Sequence, residues 1–137
     1  MVSRSDVKLY SKRRLLFVVT EDWYFVSHRL ALAVEASRAG FTVMVVTRFS
    51  SHRRAIEDAG VRVIPFEMNR RGLNPLALLR EAMELADILR RERPDVVHLV
   101  ALRPVVVGGL AVRLAGIRRI VSAVTGMGFL FTDGSRL

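Results

Sequence analysis

Apolar and polar positions fall into alternating blocks along this chain, and the blocks predict strands and helices in turn. Short, mostly apolar runs cover residues 15–20, 42–47, 61–66, 95–100 and 120–125. Segments with helical spacing or helix-capping residues lie between these runs. Because strands that are apolar throughout are buried on both faces, the pattern predicts an α/β domain whose parallel sheet is covered by helices on both sides.

Three predicted helices end in the same short pattern, in which Ala-Gly is followed by an apolar residue at positions 39–41, 59–61 and 115–117. A glycine just past a helix end can adopt the left-handed conformation that caps the helix. The apolar residue after it then leads the chain into the next buried strand. The unequal spacing indicates repeated αβ units of one domain and not a solenoid.

The helix after the third strand has a clear start, with Asn74 as N-cap and Pro75 at the first helical position. We predict that its buried face consists of Leu76, Leu79, Met83, Ala86 and Leu89. The next helix, predicted over residues 104–115, contains small residues at 108, 109 and 111 that allow close packing.

Right-handed crossovers predict the strand order 3-2-1-4-5, as in a Rossmann-like doubly wound sheet. The strand order reverses between the first and fourth strands, and open α/β sheets bind ligands there, outside the carboxyl ends of the strands. We predict that residues 21–27 form a turn at this place, followed by a helix that opens at His28. This turn and the residues after His98 then face each other across one crevice.

Composition and charge narrow the class of partner. The chain has 137 residues, half of them apolar, no cysteine, a net charge of +9 and a sequence pI of about 11.4. The longest uncharged runs, 104–112 and 120–132, are shorter than the roughly 18 residues that a membrane-spanning helix needs. The charge indicates an anionic partner, which is a phosphate-bearing ligand, an acidic membrane surface or nucleic acid. Residues 1–13 are predicted to be a flexible basic leader before one domain over residues 14–137.

The arginines divide between the two edges of the predicted sheet. Those that precede strands are Arg14, Arg62, Arg118 and Arg119. Those that follow strands, and so lie at the carboxyl edge, are Arg29, Arg48, Arg70, Arg71 and Arg103. Arginine there can hold phosphate through paired hydrogen bonds. The alternative is that several of them only pair with acidic residues at positions 21, 22 and 67.

Histidines and aromatic residues also fall at the crevice. His28 and His98 are candidates for hydrogen bonding a hydroxyl or phosphate, although a surface position for His28 and a buried, satisfied ring for His98 are equally compatible with the sequence. Trp23, Tyr24 and Phe25 can stack on a sugar ring or touch lipid, although anchoring of the segment on the core is the simpler explanation for at least one of the three. No two histidines have the i, i+4 spacing of a helical zinc site, so no metal site is predicted.

The segment 21–27 contains no glycine, so it is not the G-x-G-x-x-G loop that binds a dinucleotide. A nicotinamide or flavin cofactor is therefore not expected. The chain also lacks the G-x-x-x-x-G-K-[ST] loop of phosphate-loop ATPases.

Five motifs occur in a recognisable order along nearly the whole chain: FVSHR at 25–29, NRRGLNP at 69–75, RPDVVH at 93–98, RP at 103–104 with Gly108, and TGMG at 125–128. Together they resemble the N-terminal, acceptor-side domain of family 4 glycosyltransferases with the GT-B fold. The similarity is greatest to bacterial enzymes that build polysaccharide on polyprenyl-diphosphate carriers. This chain has Arg103 where the family often has lysine.

The resemblance implies transfer of a sugar from a nucleotide-sugar donor to a lipid-linked, polyprenyl-diphosphate acceptor, with retention at the anomeric carbon and without a cofactor. It implies a location at the inner face of the cell membrane, in peripheral contact with its anionic surface. It also places six residues near the acceptor: His28, Arg29, Arg70, Arg103, Gly126 and Gly128. Trp23, Tyr24 and His98 are further candidates to line the cleft.

Such enzymes have a second Rossmann-like domain that binds the nucleotide sugar, and no part of the 137 residues corresponds to it. The expectation is therefore a truncated N-terminal domain that is inactive without a donor domain. One alternative is a non-catalytic Rossmann-like module that binds an anionic small molecule or lipid headgroup. A nucleic-acid binder is disfavoured, because the chain lacks a recognised nucleic-acid motif and its arginines are spread over both sheet edges.

Overall fold

The computed structural model describes residues 13–68 and 74–123, and these form five strands and five helices. The strands are β1 (Arg14–Glu21), β2 (Thr42–Arg48), β3 (Arg62–Pro65), β4 (Val96–Val100) and β5 (Ile120–Ala123). The helices are α1 (Asp22–His28), α2 (Leu30–Arg38), α3 (Arg53–Asp58), α4 (Pro75–Glu92) and α5 (Leu102–Ala115). Most of the predicted leader and the end of the predicted fifth strand lie outside the described residues.

The five strands form one parallel sheet in the order β3-β2-β1-β4-β5, which confirms the predicted α/β class and strand order. β1 lies at the centre, where Phe17 pairs with Val45 of β2 on one side and with His98 of β4 on the other. The order reverses between β1 and β4. The carboxyl ends of these two strands therefore mark the crevice in which a ligand is expected.

The apolar core lies on both faces of the sheet, as the continuous apolar strands predict. Leu16 and Val18 of β1 pack on one face with α4 and α5, where Leu85 is fully buried. Phe17 and Phe25 pack on the other face, which α1, α2 and α3 cover. Consecutive residues of β1 thus point into two separate cores, and this fixes the register of the central strand.

The three Ala-Gly patterns cap their helices as predicted. Their glycines have positive φ angles of 102° at Gly40, 86° at Gly60 and 74° at Gly116. After the last of them, the N–H of Ile117 donates to the carbonyl of Val112 at 2.9 Å, and the other two patterns have the equivalent bond. This bond satisfies a carbonyl that the helix end would otherwise leave unpaired.

The prediction of a turn over residues 21–27 is wrong, since α1 begins at Asp22, directly after β1. Local side-chain contacts explain the helix. The Asp22 carboxylate accepts a hydrogen bond from the N–H of Trp23 at 2.8 Å, and an acidic residue suits the positive end of the helix dipole. Further along, the Ser27 hydroxyl donates to the Trp23 carbonyl at 2.9 Å, four residues back.

The predicted buried face of α4 is correct only at its carboxyl end. Ala86 and Leu89 are buried, but Leu76, Leu79 and Met83 are 77%, 44% and 55% exposed. The helix has a second apolar stripe, which packs on the sheet instead and consists of Leu78, Ala82, Leu85 and Leu89. Both stripes have helical spacing, so periodicity alone did not identify the buried one.

Of the two adjacent glycines in α5, only Gly108 is required by packing. A Cβ atom at Gly108 would lie 2.4 Å from Cδ2 of the buried Leu99, whereas one at Gly109 would meet nothing within 4 Å. The close approach of α5 to β4 therefore depends on the missing side chain at Gly108.

This pair of glycines gives a matched test of the packing. We expect Gly109→Ala to raise the free energy of unfolding by about 1 kcal/mol, because alanine has the higher helix propensity. Gly108→Ala gains the same propensity but forces Leu99 to move, at a cost of about 1–3 kcal/mol. Urea denaturation of both variants should place Gly108→Ala clearly below Gly109→Ala. Equal values would contradict this account of the α5–β4 contact.

Candidate functional site

The carboxyl end of β1 is irregular where it approaches the crevice. Val18 pairs with Val46 of β2, but the next pair joins Glu21 to Arg48, so β1 has one more residue than β2 over this interval. Such a bulge bends a strand and occurs often beside functional sites. Here it precedes α1 directly, at the edge where parallel sheets bind ligands.

The Asp22 carboxylate is fully buried and holds this edge together. Besides the N–H of Trp23, it accepts hydrogen bonds from the N–H and hydroxyl of Ser50, both at 2.8 Å, and from the N–H of His52 at 3.0 Å. Ser50 and His52 belong to the loop after β2. The carboxylate therefore fastens this loop to the start of α1.

The hydrogen bonds also determine the charge of Asp22. Burial opposes ionisation of the carboxyl group, but the hydrogen bonds from Ser50, His52 and Trp23 outweigh burial and lower the pKa of Asp22 below its ordinary value of 3.8. The group is therefore ionised at neutral pH. Backbone N–H groups and a hydroxyl group, and not an arginine, stabilise this negative charge.

A small cavity of about 90 Å³ lies at the switch point between β1 and β4. Its walls are Val19, Thr20, Glu21, Trp23, Tyr24 and Ala101. Ala101, which links β4 to α5, has φ 76° and ψ 168°, a conformation that normally requires glycine. Strained backbone of this kind concentrates at functional sites, and here it forms one wall of the cavity.

Two aromatic rings and an imidazole ring form a continuous stack along α1. The Tyr24 and His28 rings are parallel, with centroids 4.2 Å apart, and Trp23 meets Tyr24 edge to face at 5.8 Å. Trp23 is 48% exposed, although tryptophan is usually well buried. Its ring is therefore available to stack on a flat or weakly polar ligand.

Arg29 follows this stack along the chain and lies close enough to His98 of β4 for its charge to act on the imidazole ring. Burial, and then the positive charge of Arg29, lower the pKa of His98 below its ordinary value of 6.5, so the ring is neutral at pH 7. His98 packs on Phe17 with ring centroids 5.0 Å apart. Nε of Arg29 and Nε2 of His98 are both buried, and neither has a hydrogen-bond partner among the described residues.

Other arginines of the carboxyl edge are held by acidic residues. The Arg103 side chain is 16% exposed, and its Nη2 lies 2.9 Å from both carboxylate oxygens of Glu81 on α4. Arg48 lies 3.9 Å from Glu67 in an exposed pair. Arg48 thus pairs with one of the acidic residues that the alternative named, whereas the partner of Arg103 is a different residue, Glu81.

The structure brings the predicted site residues together in two groups. Trp23, Tyr24 and His28 form the stack, and Arg29 lies with His98. Arg103 lies at the start of α5, two residues beyond the cavity wall, and is paired with Glu81. Arg70, Gly126 and Gly128 lie outside the described residues.

Sequence reasoning missed two features of this edge. Asp22 was considered only as a partner for arginines, because its actual donors in the loop after β2 lie 28 and 30 residues away. Nothing in the sequence indicated the positive φ of Ala101, since alanine does not favour that conformation.

Two further searches of the described residues gave negative results. No group of three or more His, Asp and Glu side chains there is arranged to hold a metal ion. None of the described helices combines the length and the hydrophobicity that crossing a membrane requires.

The Asp22 contacts predict a specific loss of stability. Asp22→Asn keeps the side-chain size but places an amide NH₂ group against N–H and hydroxyl groups that themselves donate hydrogen bonds. We therefore expect it to lower the free energy of unfolding by roughly 2–3 kcal/mol. Glu35→Gln is the matched control, because Glu35 is an exposed carboxylate paired with Arg38. Urea denaturation at pH 7 should show little change for Glu35→Gln.

The same contacts predict the pH dependence. Because the folded pKa of Asp22 is below 3.8, its contribution is fully present above that pH and is lost as the pH falls through the folded value. The stability gap between wild type and Asp22→Asn should therefore narrow as the pH is lowered below 3.8. A gap that stays constant down to pH 2 would contradict an ionised Asp22 in the folded state.

Comparison with known proteins gives a consistent assignment. The family model described as "Glycosyl transferase 4-like" matches residues 14–136. An N,N'-diacetylbacillosaminyl-diphospho-undecaprenol alpha-1,3-N-acetylgalactosaminyltransferase from Campylobacter jejuni is 29% identical over 91 residues, which are 66% of this chain and 24% of that protein.

Solved structures show the same fold at lower identity. A glycosyltransferase from Rickettsia africae superposes with a TM-score of 0.65 at 21% identity, over 81% of this chain and 29% of that one. MurG from Acinetobacter baumannii superposes with a TM-score of 0.64 at 20% identity, over 89% of this chain and 39% of that one. This chain thus spans about a quarter to two fifths of the length of these relatives. Since the family model covers nearly all of its residues, the chain belongs to the glycosyl transferase 4-like family.

Proposed function

We propose that this chain forms the acceptor side of a glycosyltransferase that moves a sugar from a nucleotide-sugar donor to a polyprenyl-diphosphate-linked acceptor. The observation that carries the proposal is Arg29, whose half-buried guanidinium has no acidic partner among the described residues and whose charge acts on the neutral ring of His98 in β4. A diphosphate needs a cation and hydrogen-bond donors, and this pair supplies both. The exposed Trp23 ring lies on α1, which ends just before Arg29, and suits the sugar.

Arg29 is proposed to bind the diphosphate of the acceptor. Its guanidinium is half-buried and always charged, and its Nε has no partner among the described residues. A planar guanidinium can bind two phosphate oxygens at once, which fixes the orientation of the ligand. No acidic side chain is paired with Arg29 among the described residues, in contrast to Arg48 and Arg103.

His98 is proposed to donate or accept a single hydrogen bond from the acceptor. Its neutral ring at pH 7 carries one N–H and one acceptor nitrogen, so it can bind a sugar hydroxyl or a phosphate oxygen. A bound diphosphate would partly offset the positive field of Arg29. The pKa of His98 would then rise.

The stack on α1 is proposed to recognise the first sugar of the acceptor. Tryptophan and tyrosine faces attract the weakly polar C–H face of a sugar ring. Tyr24 lines the cavity and stacks on His28, which keeps Trp23 in place at the rim. Arg70, Arg103, Gly126 and Gly128 are proposed to complete the acceptor site, Arg103 by way of its fixed position beside Glu81.

The Campylobacter relative supports this choice of acceptor, because its name specifies a sugar carried on diphospho-undecaprenol. This chain spans 24% of that protein. We propose that the nucleotide sugar is bound by a part of such enzymes that this chain does not span, and that residues 14–137 alone do not catalyse transfer. The proposal includes retention at the anomeric carbon and peripheral attachment to the cytoplasmic face of the membrane, which the net charge of +9 favours.

Arg29→Ala tests the diphosphate site. Isothermal titration of the chain with farnesyl diphosphate, a short polyprenyl diphosphate, should show saturable binding that weakens roughly tenfold or more in this variant. Arg38→Ala removes the same charge from the exposed surface of α2, where Arg38 pairs with Glu35, and should bind like wild type. Equal affinity of wild type and Arg29→Ala would contradict the assignment.

Trp23→Ala extends the test to the sugar. Its affinity for a glycosylated polyprenyl diphosphate should fall several-fold, while its affinity for farnesyl diphosphate stays unchanged. Parallel losses for both ligands would argue against a sugar platform. Sugar transfer by the isolated chain would refute the proposed need for a donor domain. If the chain binds the acceptor but no transfer occurs even after a donor domain of the family is added, the non-catalytic module is favoured.

A further inference from the structure

We propose that the opposite edge of the sheet, where the strands begin, carries a second anion site that takes a phosphate-bearing ligand. Four arginines form it: Arg13, Arg93, Arg118 and Arg119. We call this group the amino-edge cluster. The inference concerns a different edge from the acceptor site and does not depend on the proposed function.

A cleft of about 730 Å³ opens between the ends of α4 and α5 and the starts of β1, β4 and β5, compared with about 90 Å³ at the switch point. All four arginines of the amino-edge cluster line it, as do Arg90 and Asp95. It is large enough for a nucleotide-sized ligand or a lipid headgroup. Such a concentration of guanidinium groups creates a strongly positive local potential.

The acidic residues of this edge already have other partners. The buried Glu92 carboxylate accepts hydrogen bonds from Arg14 and Arg62, both at 2.9 Å. The Asp95 carboxylate accepts a bond from the backbone N–H of Arg14 at 2.7 Å. Arg90 pairs with the Asp87 carboxylate at 3.0 Å.

The amino-edge cluster itself is not neutralised. Its four side chains are exposed, and none has an ion pair among the described residues. Like charges brought together destabilise a fold unless something offsets them. A bound anion would supply that compensation.

The helix dipoles do not account for all of this charge. α4 and α5 both end here, and their partial negative ends attract cations in the last turn. That place is already occupied by Arg90, Arg91 and Arg113. Arg13, Arg118 and Arg119 instead precede β1 and β5 and belong to no helix.

Arg93 places a guanidinium at a backbone position where any side chain lowers the stability of the fold. It caps α4 in the left-handed conformation, with φ 48° and ψ 58°, whereas three other helices of this fold end in a glycine with positive φ. A non-glycine residue in this conformation costs roughly 1 kcal/mol. The same position provides a variant that removes the guanidinium without straining the backbone.

The chemistry of the cluster indicates phosphate. Guanidinium groups bind phosphate oxygens in pairs, and several of them suit a multiply charged group such as a diphosphate. A free phosphate ester and an anionic phospholipid headgroup both present this group. The experiment therefore needs one arm for each source.

The first arm is isothermal titration of the 137-residue chain with inorganic pyrophosphate. We expect saturable binding that weakens tenfold or more in Arg118→Ala/Arg119→Ala. The control is Arg38→Ala/Arg54→Ala, which removes the same charge from exposed positions on α2 and α3 and should retain wild-type affinity.

Arg93→Gly separates binding from folding. Glycine accepts the left-handed backbone, so this variant should be at least as stable as wild type in thermal denaturation but bind pyrophosphate several-fold more weakly. If Arg93 served only to cap α4, its replacement would leave the affinity unchanged.

The second arm measures co-sedimentation with phosphatidylglycerol and phosphatidylcholine vesicles. Binding to the anionic vesicles that is lost in Arg118→Ala/Arg119→Ala and competed by pyrophosphate identifies a lipid headgroup as the source. Pyrophosphate binding without vesicle binding identifies a free phosphate ester. Absence of saturable binding in both arms, or equal losses in the two double variants, would overturn the proposal.

Discussion

The buried carboxylate of Asp22 joins the first strand, the helix after it and the loop after the second strand. Its four donors come from Trp23, Ser50 and His52, and all lie within 3.0 Å. Because α1 begins at this residue, the carboxylate sets where the aromatic stack points and closes the carboxyl edge between β1 and β2. The space left for a ligand is the crevice between β1 and β4, where the strand order also reverses.

The positions of the acidic residues determine which of the many arginines can bind an anionic ligand. Glu92 and Glu81 are almost fully buried, and they hold Arg14, Arg62 and Arg103 in fixed positions. A buried carboxylate paired in this way holds its arginines in place and serves the fold. Arg29 at one edge, and the amino-edge cluster at the other, have no such partner among the described residues. Net charge therefore does not identify which arginines can bind an anion, whereas the position of each carboxylate does.

Local patterns predicted most of the fold, and contacts between distant residues account for what was missed. The strand order and the three Ala-Gly caps follow from short stretches of sequence, and so does the group of small residues at 108, 109 and 111, although the sequence did not distinguish Gly108 from Gly109. The bonds from Ser50 to Asp22 and from Arg103 to Glu81 join residues 28 and 22 positions apart, and no periodicity reveals them. On α4, two apolar stripes of equal spacing compete, and only the packed sheet selects one.

The pKa of His98, followed by NMR of the imidazole ring with and without farnesyl diphosphate, tests the central claim most directly. In the free chain the pKa should lie below 6.5, since burial and the charge of Arg29 both oppose protonation. If the diphosphate binds Arg29 at the switch point, its negative charge should raise the pKa of His98 as the ligand saturates. An unchanged pKa at saturation would show that the diphosphate binds elsewhere and would contradict the proposed acceptor site.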